Sequence, residues 1–77
     1  MKSKVLYWIK GWVWNGYEYE PQNIFQSEDP DEARRAFDGT HLHLDMPAIE
    51  LYKSSLETDD GIWWQTAEME FIDRRDY

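Results

Sequence analysis

The segment VLYWIKGWVWNGYEY, residues 5–19, decides how the rest of this chain is read. Aromatic and β-branched residues flank Asn15-Gly16, the dipeptide that most readily supplies the two positive φ angles of a type I′ hairpin turn. With that turn, Trp14 pairs with Tyr17 and Trp12 with Tyr19. The side-chain period of two then places Leu6, Trp8, Trp12, Trp14, Tyr17 and Tyr19 on one face, with Val5, Tyr7, Ile9, Val13, Glu18 and Glu20 on the other. A hairpin with one wet face alternates apolar with polar residues, whereas both of these faces are rich in apolar groups. The pattern predicts a second layer, a partner subunit or a target protein against the hairpin.

Working outward, strand one is expected over residues 4–14 and strand two over 17–27, with Pro21 bending the second strand or placing it at a sheet edge. The run Ser27-Glu28-Asp29-Pro30-Asp31-Glu32 is a helix start. Asp29 suits the N-cap, Pro30 the N1 position and Glu32 the N3 position of a capping box, while the carboxylates meet the positive end of the helix dipole. The helix is predicted over residues 30–38, stopping at Gly39 as a C′ residue, with Ala33, Ala36 and Phe37 as its apolar stripe. A helix this short does not persist alone, so it must lie on the sheet.

Residues 40–46 alternate His41, His43 and Asp45 with Leu42, Leu44 and Met46, which predicts a half-buried strand. Residues 48–56 fit a strand, although Ile49, Tyr52 and Leu56 also match a helix face beginning at Pro47. A strand is preferred because the turn Thr58-Asp59-Asp60-Gly61 and a last strand over 62–72 then complete a hairpin. Its faces are Tyr52, Leu56, Trp63, Ala67, Met69 and Phe71 on one side, and Lys53, Ile62, Trp64, Glu68 and Glu70 on the other. Residues 73–77 are expected to fray. The expectation is therefore one α+β domain over residues 1–77: an antiparallel sheet of about five strands, order ββαβββ, with one short helix on one face.

At 77 residues the chain is near the lower size limit for folding without staples. Five Trp, five Tyr and three Phe compensate, since each aromatic buries roughly 150–250 Å². The chain contains no Cys, which excludes disulfides and thiolate metal sites and fits a reducing compartment. No apolar run is long enough for a signal peptide or membrane span, so a cytoplasmic location in the host cell is expected.

Sixteen acidic against eight basic residues give a net charge of −8, and the first 17 residues hold three lysines and no acid. Direct nucleic-acid binding is not expected, because phosphate contacts need clustered cations and only Arg34-Arg35 and Arg74-Arg75 come close. No nucleophile with a local base and no phosphate loop is visible, so neither catalysis nor a cofactor is expected. His41, His43 and Asp45 at period two invite a metal site, but nothing marks a further ligand, and an ordinary polar strand face explains them. Asp59-Asp60-Gly61 is too short for a calcium loop.

Binding is the better-supported class. Glu18 and Glu20, Glu68 and Glu70, and the helix-start acids Asp31 and Glu32 present negative charge suited to a basic partner. The plainer reading of any one pair is a solvated surface. Trp8, Trp12, Trp14 and Trp64 are the candidate aromatic anchors, because a small two-layer domain cannot bury both faces of both hairpins. A homodimer closed by the spare aromatic face, with no foreign target, is the alternative.

The element order, with Phe37-Asp38-Gly39-Thr40 after the helix, Leu51-Tyr52-Lys53, and Asp60-Gly61 before Trp63, resembles the small phage-encoded anti-CRISPR proteins, notably an inhibitor of the type I-F surveillance complex. A similar order occurs in a small phage inhibitor of bacterial RNA polymerase. The resemblance implies a non-enzymatic stoichiometric inhibitor that binds a Cas subunit and obstructs target DNA. The acidity of this chain departs from the basic binding residues of that inhibitor and points to a basic, DNA-handling surface as the target.

Overall fold

β1 (Lys2–Trp14) and β3 (Ala48–Thr58) run antiparallel through the middle of the sheet, paired from Lys2↔Thr58 to Trp12↔Ala48. The computed structural model describes residues 2–59, 61–66 and 69–77. β2 (Tyr19–Ser27) flanks β1, while β4 (Trp64–Gln65) and β5 (Glu70–Asp76) share the far edge of β3. The helix α1 (Pro30–Gly39) lies on one face, completing an α+β architecture of five antiparallel strands and one short helix.

The first hairpin is looser than a type I′ turn. Trp14 pairs with Tyr19 rather than Tyr17, leaving residues 15–18 as the connection. A type I′ turn needs positive φ at both central residues, and only Gly16 has it, at 104°. Asn15 instead accepts the Tyr17 and Glu18 backbone N–H groups on Oδ1 at 2.8 and 3.0 Å. The register moves by two residues, so Tyr19 keeps its face while Glu18 drops out of the strand. Pro21 sits opposite Trp12 on the edge strand β2, as its missing N–H requires.

Asp29 caps α1 by accepting the Asp31 N–H at 2.9 Å, with Pro30 starting the helix. The capping box is not closed by Glu32, because Ser27 Oγ takes the Asp29 N–H at 3.0 Å. Gly39 is the last helical residue and has no positive φ, so it is not the left-handed C′ residue expected. Thr40 ends the helix, its hydroxyl donating to the Ala36 carbonyl at 2.6 Å. Ala33 and Phe37 are fully buried against Ile9, Ile49, Leu51 and Leu42, with Tyr7, Phe25, Ala36 and Met46 packed around them.

The predicted strand over residues 40–46 is not formed. Leu42 drops into the core, and His43 and Met46 close a tight turn by exchanging backbone hydrogen bonds at 3.2 and 3.0 Å, leaving Leu44 exposed at its tip. Alternation at period two also suits a loop that pins two apolar side chains, and the sequence period does not separate the cases. Residues 48–58 are strand, as preferred. The single strand expected over 62–72 is divided into β4 and β5, because the pairing with β3 shifts between Leu56↔Gln65 and Tyr52↔Phe71. This division keeps the count at five strands.

The fraying expected for residues 73–77 is also overturned. β5 extends to Asp76, and the Tyr77 N–H donates to the Pro47 carbonyl at 2.6 Å. The anchors are long-range: Arg34 holds Asp73 at 2.8 Å, and Arg75 reaches the carbonyls of Phe37 and Thr40. Among the described residues no helix is long and apolar enough to cross a membrane.

Candidate functional site

Pairing register divides the sheet into two faces. Ile9, Ile49 and Leu51 point toward α1 and Gly11 faces Met46 on the same side, so Leu6, Trp8, Lys10 and Trp12 of β1, with Glu50, Tyr52, Ser54 and Leu56 of β3, point the other way. Among the described residues no element covers this second face, here called the open face.

The two indoles on the open face are held in place from their edges. Trp8 donates its Nε1–H to Ser54 Oγ at 2.6 Å, and Trp12 donates to Glu50 Oε1 at 2.9 Å. Both rings therefore lean from β1 onto β3 and satisfy their polar atoms within the sheet. Tyr52 meets Phe71 edge to face at 5.8 Å, and Lys10 Nζ lies 5.2 Å from the Tyr52 ring centre. Burial and the neighbouring Glu50 raise the Tyr52 hydroxyl above its ordinary pKa. Glu50 also bonds Arg74 at 3.4 Å, and Arg74 grips Asp76 at 3.0 Å, which raises the guanidinium pKa further. Beside this network Trp12, Tyr19, Pro47, Ala48 and Tyr77 line an open cleft of about 340 Å³.

Charge is divided between the open face and the rest of the described residues. Among the described residues Lys2, Lys4, Lys10 and Arg74 share the open face with Glu50 and Asp76, a net of +2. The other described residues hold 12 carboxylates and 4 cations, a net of −8. Acids concentrate at the helix start, where Asp29, Asp31 and Glu32 are exposed and Glu28 bonds Lys4 at 3.5 Å.

The sequence-expected contact residues are accordingly separated. Trp8 and Trp12 lie together on the open face, with Trp14 at its end, 43% exposed and packed on Tyr19 at 5.1 Å. Asp31 and Glu32 sit on the helix layer. Glu18 is in the first loop and Glu20 is opposite Val13 on the helix side, so they do not form the expected same-face pair. Glu20 instead accepts from Asn15 and Gln22 side chains. Trp64, 41% exposed and opposite Glu57, also points to the helix side, as does Glu70, which meets Lys53 at 3.8 Å. Glu68, like Ala67 and Asp60, lies outside the described residues.

Sequence reasoning missed Ser54, Glu50 and Arg74 as the groups that organise the open face. The available signal was the shared face of Tyr52 and Phe71, which put β3 and β5 side by side. His41 and His43 stack with ring centres 6.1 Å apart, and His43 Nδ1 accepts the Asp45 N–H at 3.2 Å. Among the described residues no group of three His, Asp or Glu converges as a metal site would require. No family model, curated protein or solved structure matches this chain.

Proposed function

We propose that this protein is a non-enzymatic stoichiometric inhibitor that presents its acidic helix side to the basic surface of a nucleic-acid-handling protein. The observation that carries this reading is the segregation of charge: 12 of the 14 described carboxylates lie off the open face, with Asp29, Asp31 and Glu32 exposed at the start of α1 and Trp64 exposed on the helix side as an aromatic anchor. Glu57 stands opposite Trp64 in the β3–β4 ladder on that side. Carboxylates displayed this way compete for a site shaped to hold phosphates and speed encounter with a cationic partner. A Cas effector complex is the finer form of the proposal, resting on the resemblance to anti-CRISPR proteins, and host RNA polymerase is the alternative target.

The division of labour follows from magnitudes. Exposed ion pairs contribute about 0.2–1 kcal/mol each and are screened by salt, whereas truncating an anchoring aromatic costs about 2 kcal/mol or more. The test is binding kinetics against a purified type I-F effector complex and against bacterial RNA polymerase. Asp31→Lys with Glu32→Lys is expected to slow association and flatten its salt dependence, and Trp64→Ala to speed dissociation. Inhibition is expected to saturate at a fixed molar ratio and to weaken when target DNA is loaded first. Turnover of the target by substoichiometric protein, or kinetics indifferent to both changes, would overturn the proposal.

A further inference from the structure

We propose that the open sheet face is the interface of a homodimer, covered by a second copy of the same face. The centre of this face is apolar and aromatic, formed by Leu6, Trp8, Trp12, Tyr52, Leu56 and Phe71, and Phe71 is 53% exposed in the single chain. An antiparallel sheet whose second face met water would carry polar residues at these positions.

Area and apolar character select a second copy as the occupant. Four strand positions at about 4.8 Å and the 11 residues of β3 at about 3.3 Å give a face of roughly 600–700 Å². A standard interface takes about 800 Å² from each partner, so one face this size, with its rim, suffices. The face carries both signs, with Lys10 and Arg74 beside Glu50 and Asp76. A two-fold pairing sets this patch against itself, with Glu50 and Asp76 already neutralised by Arg74 of the same chain.

The net +2 of this face against −8 over the other described residues decides the orientation. Joining two copies through their helix layers brings carboxylates together, whereas joining them here leaves both acidic helix layers on the outside. The two sheets then stack about 10 Å apart, helix layers outermost. Because Ser54 and Glu50 already fix the indoles, little side-chain freedom remains to be lost on association. The readout is the mass of the isolated protein, which target binding by the helix side does not enter, so failure of the dimer and failure of the proposed function are distinguishable.

The test is the mass in solution by sedimentation and light scattering across micromolar to millimolar concentration. Wild type is expected at twice the 9.4 kDa of one chain. Phe71→Glu and, independently, Lys10→Glu are expected to return the mass to one chain, each with a wild-type circular dichroism spectrum. Asp31→Lys with Glu32→Lys is expected to leave the dimer intact. A wild-type mass of one chain throughout the range would overturn the proposal, as would a dimer that survives Phe71→Glu and is broken by the helix-side change.

Discussion

Arg75 donates from Nη1 to the carbonyl of Phe37, 38 residues earlier in the chain, and to the carbonyl of Thr40 at 3.0 Å. These carbonyls lie at the end of α1, whose last turn contains no basic residue of its own. A cation from the last strand thus supplies the charge that the helix dipole favours at its C-terminus. Together with Arg34, whose guanidinium lies 5.4 Å from the Phe37 ring, it ties helix to strand around the largest fully buried side chain.

Arg75→Ala is therefore expected to lower stability by about 1–3 kcal/mol, the usual consequence of leaving partly buried carbonyls unpaired. Arg75→Lys recovers only part of this, since an ammonium does not reproduce the guanidinium fork. Urea unfolding reads the change directly. An unchanged midpoint in the Ala variant would show that β5 is not secured through this contact.

Gly11 is required by the close approach of the loop after the helix. A Cβ built there would stand 2.7 Å from Met46 Sδ, 3.3 Å from Met46 Cγ and 3.4 Å from Ile24 Cγ2. Gly11→Ala is expected to cost about 1–3 kcal/mol through overpacking. Adding Met46→Ala removes the clash, so the double variant should lose less than the sum of the two single losses. Additive losses in thermal or urea unfolding would contradict this account.

Ser54 is 1% exposed and its hydroxyl receives the Trp8 indole. Ser54→Ala leaves that N–H without its partner and is expected to cost about 1 kcal/mol. Trp8→Phe removes the donor as well as indole area, and the double variant should show a coupling near the energy of the bond. The Trp8 emission should also become less restricted in Ser54→Ala, measured by anisotropy.

Hydrogen bonds from Arg34 and then from the Arg74 backbone hold the Asp73 carboxyl below its ordinary pKa. The unfolded chain therefore takes up a proton on this group at a higher pH than the folded one. The contribution is fully present above the ordinary carboxylate value of about 3.9 and is lost as the pH falls below it toward the folded value. Acid unfolding of Asp73→Asn should lack this component, so its stability difference from wild type should shrink as the pH falls through that window. A difference that stays constant would count against the Arg34–Asp73 latch.

Residues 5–19 and 27–39 carried much of this fold in their own letters. Pleat alternation needs only neighbours, so Trp8 and Trp12 could be placed on one face and Ile9 on the other before any partner strand was known. The start of α1 was equally local, because Asp29 and Pro30 act on backbone groups within one turn. The extra residues at the first loop were not legible: Asn15-Gly16 permits a two-residue turn, and only the competition between Asn15 Oδ1 and the ladder decided for four.

Tertiary structure alone decided the rest. Leu42 left its predicted strand because burial against Phe37 outweighed an edge pairing, and residues 73–77 became ordered because Arg75 found carbonyls 35 and 38 residues away. Composition showed a net charge of −8, but not that the face carrying Trp8 and Trp12 is net positive while most carboxylates lie off it. That separation depends on which strands pair and in what register, since a one-residue slip moves every side chain to the other face, and register is a property of the assembled sheet.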